Sequence, residues 1–111
     1  NWLQSVALRV FGSVLVKPFA WSPGFFVDPG RSVVDAVDIP VVALGGLDSA
    51  ATLSRAFDAG YQFAALGRTL LADPDFIPRL AAGESPVSRC NHCNLCVVEM
   101  DRGGVRCVLA E

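Results

Sequence analysis

The chain has 111 residues, of which 52% are hydrophobic and 18% are charged. This composition excludes an intrinsically disordered chain, which would be poor in apolar residues and rich in charge. Nine Lys and Arg against eleven Asp and Glu give a net charge of −2, so no basic excess favours nucleic acid or an anionic membrane surface.

We expect no targeting segment in this sequence. Its apolar stretches are interrupted well before the roughly 18 residues that a membrane span needs. It begins at Asn1, and Arg9 lies within its first apolar stretch, so neither a basic start nor a small-residue cleavage site marks a secretory signal. We therefore expect a cytoplasmic protein with no membrane partner.

The first half of the chain predicts two helices. Apolar residues recur at near-helical spacing over residues 2–16, which favours an amphipathic helix. An Asp-Pro pair predicts the start of a second helix at residue 28, and Ile-Pro predicts its end at residues 39–40. Val33, Val34 and Val37 are expected to be its buried stripe.

Two short apolar runs, residues 41–44 and 62–66, predict strands that are buried on both faces. A helical pattern separates them, so the strands are expected to be parallel neighbours with a right-handed crossover. Two such strands do not complete a sheet, because parallel strands need cover on both faces and partners at both edges. The predicted fold class is therefore α/β, with the chain forming the C-terminal portion of a larger protein.

The helix between the two strands follows Asp48 or Ser49, either of which can cap it. Ala50, Leu53 and Phe57 have the spacing of an apolar helix face that packs on a sheet.

A shorter helix is predicted within residues 73–83. Asp73 is expected to cap it, with its carboxylate pointing away from the strand ends. Phe76, Ile77 and Leu80 form its apolar side.

Glycines at both strand ends predict an anion site. Gly45 and Gly46 follow the first strand, and Gly67 and Arg68 follow the second. Glycine lets backbone N–H groups approach an anion closely, and the planar guanidinium suits phosphate oxygens. In a (β/α)₈ barrel, the loops after strands seven and eight commonly form such a site. The alternative is that the glycines only make a tight turn and that Arg68 pairs with a surface carboxylate.

Three segments carry a family resemblance. Residues 39–46 (IPVVALGG), 65–68 (ALGR) and 72–75 (ADPD) resemble, in that order, the end of the old yellow enzyme family. Those proteins are FMN-dependent NAD(P)H:flavin oxidoreductases on a (β/α)₈ TIM barrel. The resemblance implies that residues 1–88 are the C-terminal βα units of such a barrel and that residues 89–111 are a cysteine-rich tail.

The resemblance also implies an activity. It makes Gly45, Gly46, Gly67 and Arg68 the residues that hold the FMN phosphate. NAD(P)H would be the electron donor, and the substrate would be a small molecule with an activated alkene, such as an enone or an enoyl thioester. The family permits a homo-oligomer.

No catalytic residue is expected within this chain. In the family, the pair that binds the substrate carbonyl and the tyrosine that donates a proton lie earlier in the barrel, before Asn1 here. The chain is therefore expected to be inactive alone. Its single histidine and single tyrosine match no family catalytic motif; Tyr61 is expected to pack at a strand entrance and His92 to hydrogen-bond within a loop.

All four cysteines lie near the end of the chain, at Cys90, Cys93, Cys96 and Cys107. This C-x₂-C-x₂-C-x₁₀-C spacing favours a metal over a disulfide framework, because three close thiolates and a fourth can wrap an iron–sulfur cubane. A sub-branch of the old yellow enzyme family, similar to 2,4-dienoyl-CoA reductase, carries a [4Fe-4S] cluster at this place. Zinc is the alternative occupant, and an empty thiol cluster is the third.

Two other functions stay open at this point. One is a different phosphate-binding TIM barrel, an isomerase or synthase that acts on a ribose phosphate. The other is a zinc-stabilised module with no enzymatic activity.

Overall fold

The structure, a computed structural model, describes Val6 and residues 20–100 and 103–109. The helix predicted over residues 2–16 lies outside the described residues, apart from Val6. The elements in chain order are α1 (Val27–Val34), β1 (Val42–Ala43), α2 (Ala50–Asp58), β2 (Phe63–Ala64), α3 (Arg68–Ala72), α4 (Phe76–Ala81) and α5 (Leu95–Glu99). Within this described part, no helix combines the length and apolar character needed to cross a membrane.

The two strands form a parallel pair, as the sequence predicts. Val42 lies opposite Phe63, and Ala43 lies opposite Ala64. The N–H of Ala65 donates to the carbonyl of Ala43 at 2.8 Å and continues the pairing beyond β2. The fold is therefore a small mixed α/β arrangement around a parallel sheet, and its place in a larger barrel stays a prediction.

The prediction that both strands are buried on both faces is wrong for this chain. Ala43 is only 1% exposed, whereas Val42 is 52% exposed and Phe63 is 58% exposed. Successive side chains of a strand point to opposite faces, so one face of this sheet meets the core and the other is open.

The core lies between the sheet and the helices that follow each strand. Its buried members are Val27, Ala43, Leu47, Leu53, Ala56, Tyr61 and Phe76. The hydroxyl of Tyr61 donates to the carbonyl of Val27 at 3.1 Å and ties the start of α1 to this core. Tyr61 is thus the packing residue that its position before β2 predicts.

Helix α1 differs from its prediction at both ends. It begins at Val27, after a cap position at Phe26 that makes no side-chain cap hydrogen bond, and it ends at Val34. Of the predicted buried stripe, Val34 packs against the core, whereas the prediction is wrong for Val33 and Val37, which are exposed. Val27 is the buried residue instead, because the helix meets the core through its first turn, where Tyr61 binds.

Helix α2 is capped by Ser49, one of the two predicted caps. The Ser49 side chain accepts from the backbone N–H of Thr52, and the Thr52 hydroxyl accepts from the backbone N–H of Ser49 in return. Leu53 and Ala56 face the core. The predicted contact of Phe57 is wrong, since its side chain is 49% exposed and the smaller Ala56 takes the inward position.

Helix α4 does not use Asp73 as its cap. The cap position is Asp75, and it makes no side-chain cap hydrogen bond. Asp73 is buried, and its carboxylate pairs with Arg79 at 3.3 Å, because burial of a carboxylate requires a partner for its charge. The hydrogen bond from Arg79 to Glu84, opposed in part by desolvation, raises the pKa of the guanidinium.

Candidate functional site

The ends of β1 and β2 are held together by hydrogen bonds from three segments. The hydroxyl of Thr69, in the first turn of α3, donates to the buried carbonyl of Leu47 at 2.7 Å. The N–H of Gly24 donates to the carbonyl of Gly46 at 2.8 Å, so the loop before α1 closes over the same corner. The Arg55 guanidinium secures that loop by donating to the carbonyl of Gly24 at 2.7 Å. This geometry makes a fixed corner from residues that are distant in sequence.

A cavity of about 210 Å³ lies at this corner. All four residues predicted to hold a phosphate line it: Gly45, Gly46, Gly67 and Arg68. We call this space the glycine cavity. Asp48 and His92 also line it, and neither was predicted from the sequence as a site residue.

The first two glycines are required by the fold itself. Gly45 has a φ of +101° and Gly46 has a φ of +70°, values that L side chains rarely adopt. A Cβ on Gly46 would lie 2.8 Å from the backbone nitrogen of Gly24 and 2.9 Å from the carbonyl oxygen of Ser22. The tight-turn alternative therefore accounts for these two positions whether or not a ligand binds.

Gly67 is different, because its φ is outside the left-handed region and its surroundings leave room for a Cβ. Its φ is −104°, and no heavy atom of the described structure lies within 4 Å of the place where a Cβ would stand. Gly67 instead leaves open space at the wall of the glycine cavity. A glycine that packing does not require is the one whose missing side chain points to a ligand.

Arg68 lies at the start of α3. It stands between the glycine cavity and residues 90–96, which we call the cysteine run. Its guanidinium donates to the side-chain oxygen of Asn94. Within the described ranges it forms no ion pair with a carboxylate, so the surface-pair alternative is not what the structure shows. A guanidinium has five N–H donors, which leaves donors for an anion beside the bond to Asn94.

His92 reaches the glycine cavity from the cysteine run. Its ring stacks on Trp21, with the ring centroids 3.7 Å apart and an interplanar angle of 27°. Within the described residues no hydrogen bond of His92 accompanies this stack, so the predicted loop hydrogen bond is not seen there. Burial, and then the nearby Arg68 charge, lower the pKa of His92, while Asp48 opposes this effect. Trp21 lies 71 positions before His92 in the sequence, so the spacing of residues along the chain could not have indicated this contact.

The four cysteines line a second and much smaller cavity, of about 10 Å³, which we call the thiol cavity. All four thiols are free. Arg68 and Asn94 also line this cavity, so the hydrogen bond between them separates it from the glycine cavity. In the described ranges, no three His, Cys, Asp or Glu side chains are grouped closely enough to hold a metal ion. The four thiols that are expected to hold a cluster therefore line one cavity, but in the described structure they are not grouped closely enough to ligate a metal ion.

Comparison with known proteins gives three informative relatives. The chain is 30% identical over 109 residues to 4,4'-dithiodibutanoate disulfide reductase of Rhodococcus erythropolis, covering 98% of this chain and 27% of that protein. It is 36% identical over 67 residues to bilirubin reductase of Mediterraneibacter gnavus, covering 60% of this chain and 10% of that protein. It is also 33% identical over 74 residues to imidazole glycerol phosphate synthase subunit HisF of a Synechococcus species, covering 64% of this chain and 29% of that protein.

The chain therefore spans less than a third of the length of each of these relatives. Two of the three are named reductases, and the third is named a synthase subunit. No family model matches the chain. No solved structure matches it either.

Proposed function

We propose that this chain is the FMN-phosphate end of an FMN-dependent NAD(P)H oxidoreductase of the ene-reductase or dienoyl-CoA reductase type. The observation that carries the proposal is the glycine cavity, where Gly45, Gly46, Gly67 and Arg68 meet at the ends of two parallel strands. Ligands of open α/β sheets and of (β/α)₈ barrels bind at this end of the strands.

The residues fit a phosphate group. The corner combines an open wall at Gly67 with the unpaired donors of Arg68. Charge-assisted hydrogen bonds to a phosphate are worth about 1.5–3 kcal/mol each. Asp48 is the unfavourable member of the wall, because its carboxylate repels an anion. A phosphate therefore fits best on the Arg68 side of the cavity.

A general redox role is supported by the names of the two reductase relatives. When FMN is bound, the flavin supplies the two-electron chemistry, and the protein supplies binding, orientation and electrostatics. In this chain, Arg68 and the backbone of the glycine turns bind and orient the phosphate. The groups that bind an alkene substrate and transfer a proton belong to parts of the protein outside these 111 residues.

The thiol cavity supports a second redox group. We propose that Cys90, Cys93, Cys96 and Cys107 hold a [4Fe-4S] cluster, with zinc as the alternative, because all four thiols line one cavity. A bound cluster would supply one-electron transfer. Since Arg68 lines both cavities, the two groups would be neighbours on either side of one guanidinium.

The experiment that tests the proposal is flavin binding to the complete polypeptide that contains these residues. We expect the purified protein to be yellow and to bind FMN at one site. Arg68→Ala should weaken FMN binding by about tenfold to a hundredfold, from the loss of one charge-assisted contact. Arg31→Ala is the matched control, because Arg31 is exposed on α1, away from the cavity. A colourless protein that takes up no FMN would contradict the proposal.

Metal analysis tests the cysteine part separately. Iron with acid-labile sulfide, lost in a Cys93→Ser variant, supports the cluster. Stoichiometric zinc instead would favour the structural alternative.

A second candidate function is a phosphate-binding barrel synthase. The relation to the HisF synthase subunit favours it, since that relation covers 64% of the chain. In this case the glycine cavity would bind a sugar phosphate, and the complete polypeptide would bind ribose 5-phosphate without taking up flavin. Competition between FMN and ribose 5-phosphate therefore separates the two candidates.

A further inference from the structure

His92 is the residue of the glycine cavity that no prediction from the sequence explains. It belongs to the cysteine run, yet its ring lines the same cavity as Gly67 and Arg68. The stack on Trp21 fixes the plane of this ring. A side chain that is held from a distant segment against a cavity wall is positioned for contact with whatever fills the cavity.

The backbone around His92 has an unusual conformation. His92 has a φ of +62° and Asn94 has a φ of +59°, both in the left-handed region. Asn and His are among the non-glycine residues that adopt this region more often than most. Left-handed non-glycine residues concentrate at binding and active sites, where surrounding contacts hold them. At Asn94 that contact is the hydrogen bond from Arg68; at His92 it is the stack on Trp21.

The imidazole has unused hydrogen-bonding capacity. Neither of its ring nitrogens bonds to another residue of the described structure, and an imidazole ring carries an N–H donor in either protonation state. Arg68 and Asp48, which also line the cavity, are both close enough to act electrostatically on the ring. The free donor of His92 therefore shares its space with the guanidinium that is proposed to bind phosphate.

We propose that His92 is a ligand-binding residue of the glycine cavity, and that its imidazole N–H donates a hydrogen bond to a phosphate oxygen of the ligand beside Arg68. This inference rests on the proposed function, which places a phosphate group in that cavity. It assigns to the cysteine run a direct contact with the flavin nucleotide, in addition to any metal it holds.

The test compares FMN with riboflavin, which has the same ring system and no phosphate. Both are titrated into the flavin-free complete polypeptide, with flavin fluorescence as the readout. His92→Phe keeps a ring that can stack on Trp21 and removes the donor. It should weaken FMN binding about tenfold and leave riboflavin binding unchanged. Equal weakening of both flavins, or no change in either, would overturn the inference.

A second variant guards against a loop that fails to fold. His92→Asn suits the φ of +62° and shortens the side chain, so it should also weaken FMN and spare riboflavin. The rate of tryptic cleavage after the exposed Arg89 reports on the loop itself. We expect this rate to stay at the wild-type value in His92→Phe, which keeps the stack; a faster rate together with weaker FMN binding in that variant would show that His92 only supports the loop.

A third arm separates this inference from the proposed function. If the wild-type protein binds neither flavin, the proposed function fails, and calorimetric titration with inorganic phosphate takes over the test. Phosphate binding that falls in His92→Phe would keep the inference without a flavin. Phosphate binding that is equal in the two proteins, or absent from both, would overturn it.

Discussion

The two strand ends that form the glycine cavity use glycine for different reasons. At the end of β1, Gly45 and Gly46 have positive φ values, and their neighbours leave no room for a Cβ. At the end of β2, Gly67 has an ordinary φ, and the space beside it is open. The first pair shapes the turn, and the second position leaves a wall of the cavity clear. A glycine that packing does not require, such as Gly67, is therefore a better guide to the position of a ligand than glycines that the turn requires, such as Gly45 and Gly46.

The glycine cavity and the thiol cavity also differ in the contacts that hold their walls. The glycine cavity is held by hydrogen bonds between elements, such as that from Thr69 to Leu47. The thiol cavity is lined by four cysteines whose thiols are all free: Cys90, Cys93, Cys96 and Cys107.

The largest expected effect is on stability, in Gly46→Ala. The added Cβ would meet the backbone of Gly24 and Ser22 while φ stays at +70°. We expect the free energy of unfolding of the complete polypeptide to fall by about 2–3 kcal/mol. Chemical denaturation monitored by circular dichroism measures this change. An unfolding free energy within 0.5 kcal/mol of wild type, a window of the size typical for neutral surface changes, would show that the turn tolerates a side chain.

A smaller loss of stability is expected when the hydrogen bond from the Thr69 hydroxyl to the carbonyl of Leu47 is removed. Thr69→Val keeps the shape of the side chain and leaves the buried carbonyl of Leu47 without its donor. The unfolding free energy should fall by about 1–2 kcal/mol. Thr69→Ser, which keeps the hydroxyl, is the control and should lose less. If both variants were equally destabilised, the methyl packing rather than the hydrogen bond would hold the corner.

Sequence reasoning succeeded at the strand ends because local patterns determine them. Short apolar runs ended by glycine predict β1 and β2, and the helix between them predicts their parallel pairing. Since the ends of parallel strands meet at one edge of a sheet, Gly45, Gly67 and Arg68 were expected to lie together, and the structure places them on one cavity. The cofactor and the larger barrel stay predictions.

Sequence reasoning failed where contacts between distant segments decide the result. Val33 and Phe57 have the correct helical spacing for burial, yet both are exposed, because periodicity identifies a face and not the partner that covers it. Asp73 reads locally as a cap, but its pairing with Arg79 takes the carboxylate elsewhere. His92 was missed as a cavity residue because its position depends on Trp21.

The comparison between the two strand ends is sharpest in Gly67→Ala. The new methyl group would meet no protein atom of the described structure, so the unfolding free energy should fall by less than in Gly46→Ala. FMN binding should nevertheless weaken by roughly tenfold, because the methyl group would occupy space proposed for the phosphate. Gly46→Ala, which changes stability, is its natural counterpart. Unchanged FMN affinity in Gly67→Ala would place the ligand away from the β2 end.

The smallest effect is expected from Asp48→Asn, and its sign is opposite. Asp48 lines the glycine cavity, and its carboxylate repels a bound phosphate through a partly solvated space. Neutralising it should strengthen FMN binding about twofold to fivefold at low salt, with less gain at high salt, because mobile ions screen the repulsion. Asp75→Asn, which makes the same charge change on an exposed residue outside the cavity wall, should leave the affinity unchanged. If Asp48→Asn weakened FMN binding, the carboxylate would be accepting a hydrogen bond from the ligand, and the phosphate could not lie beside it.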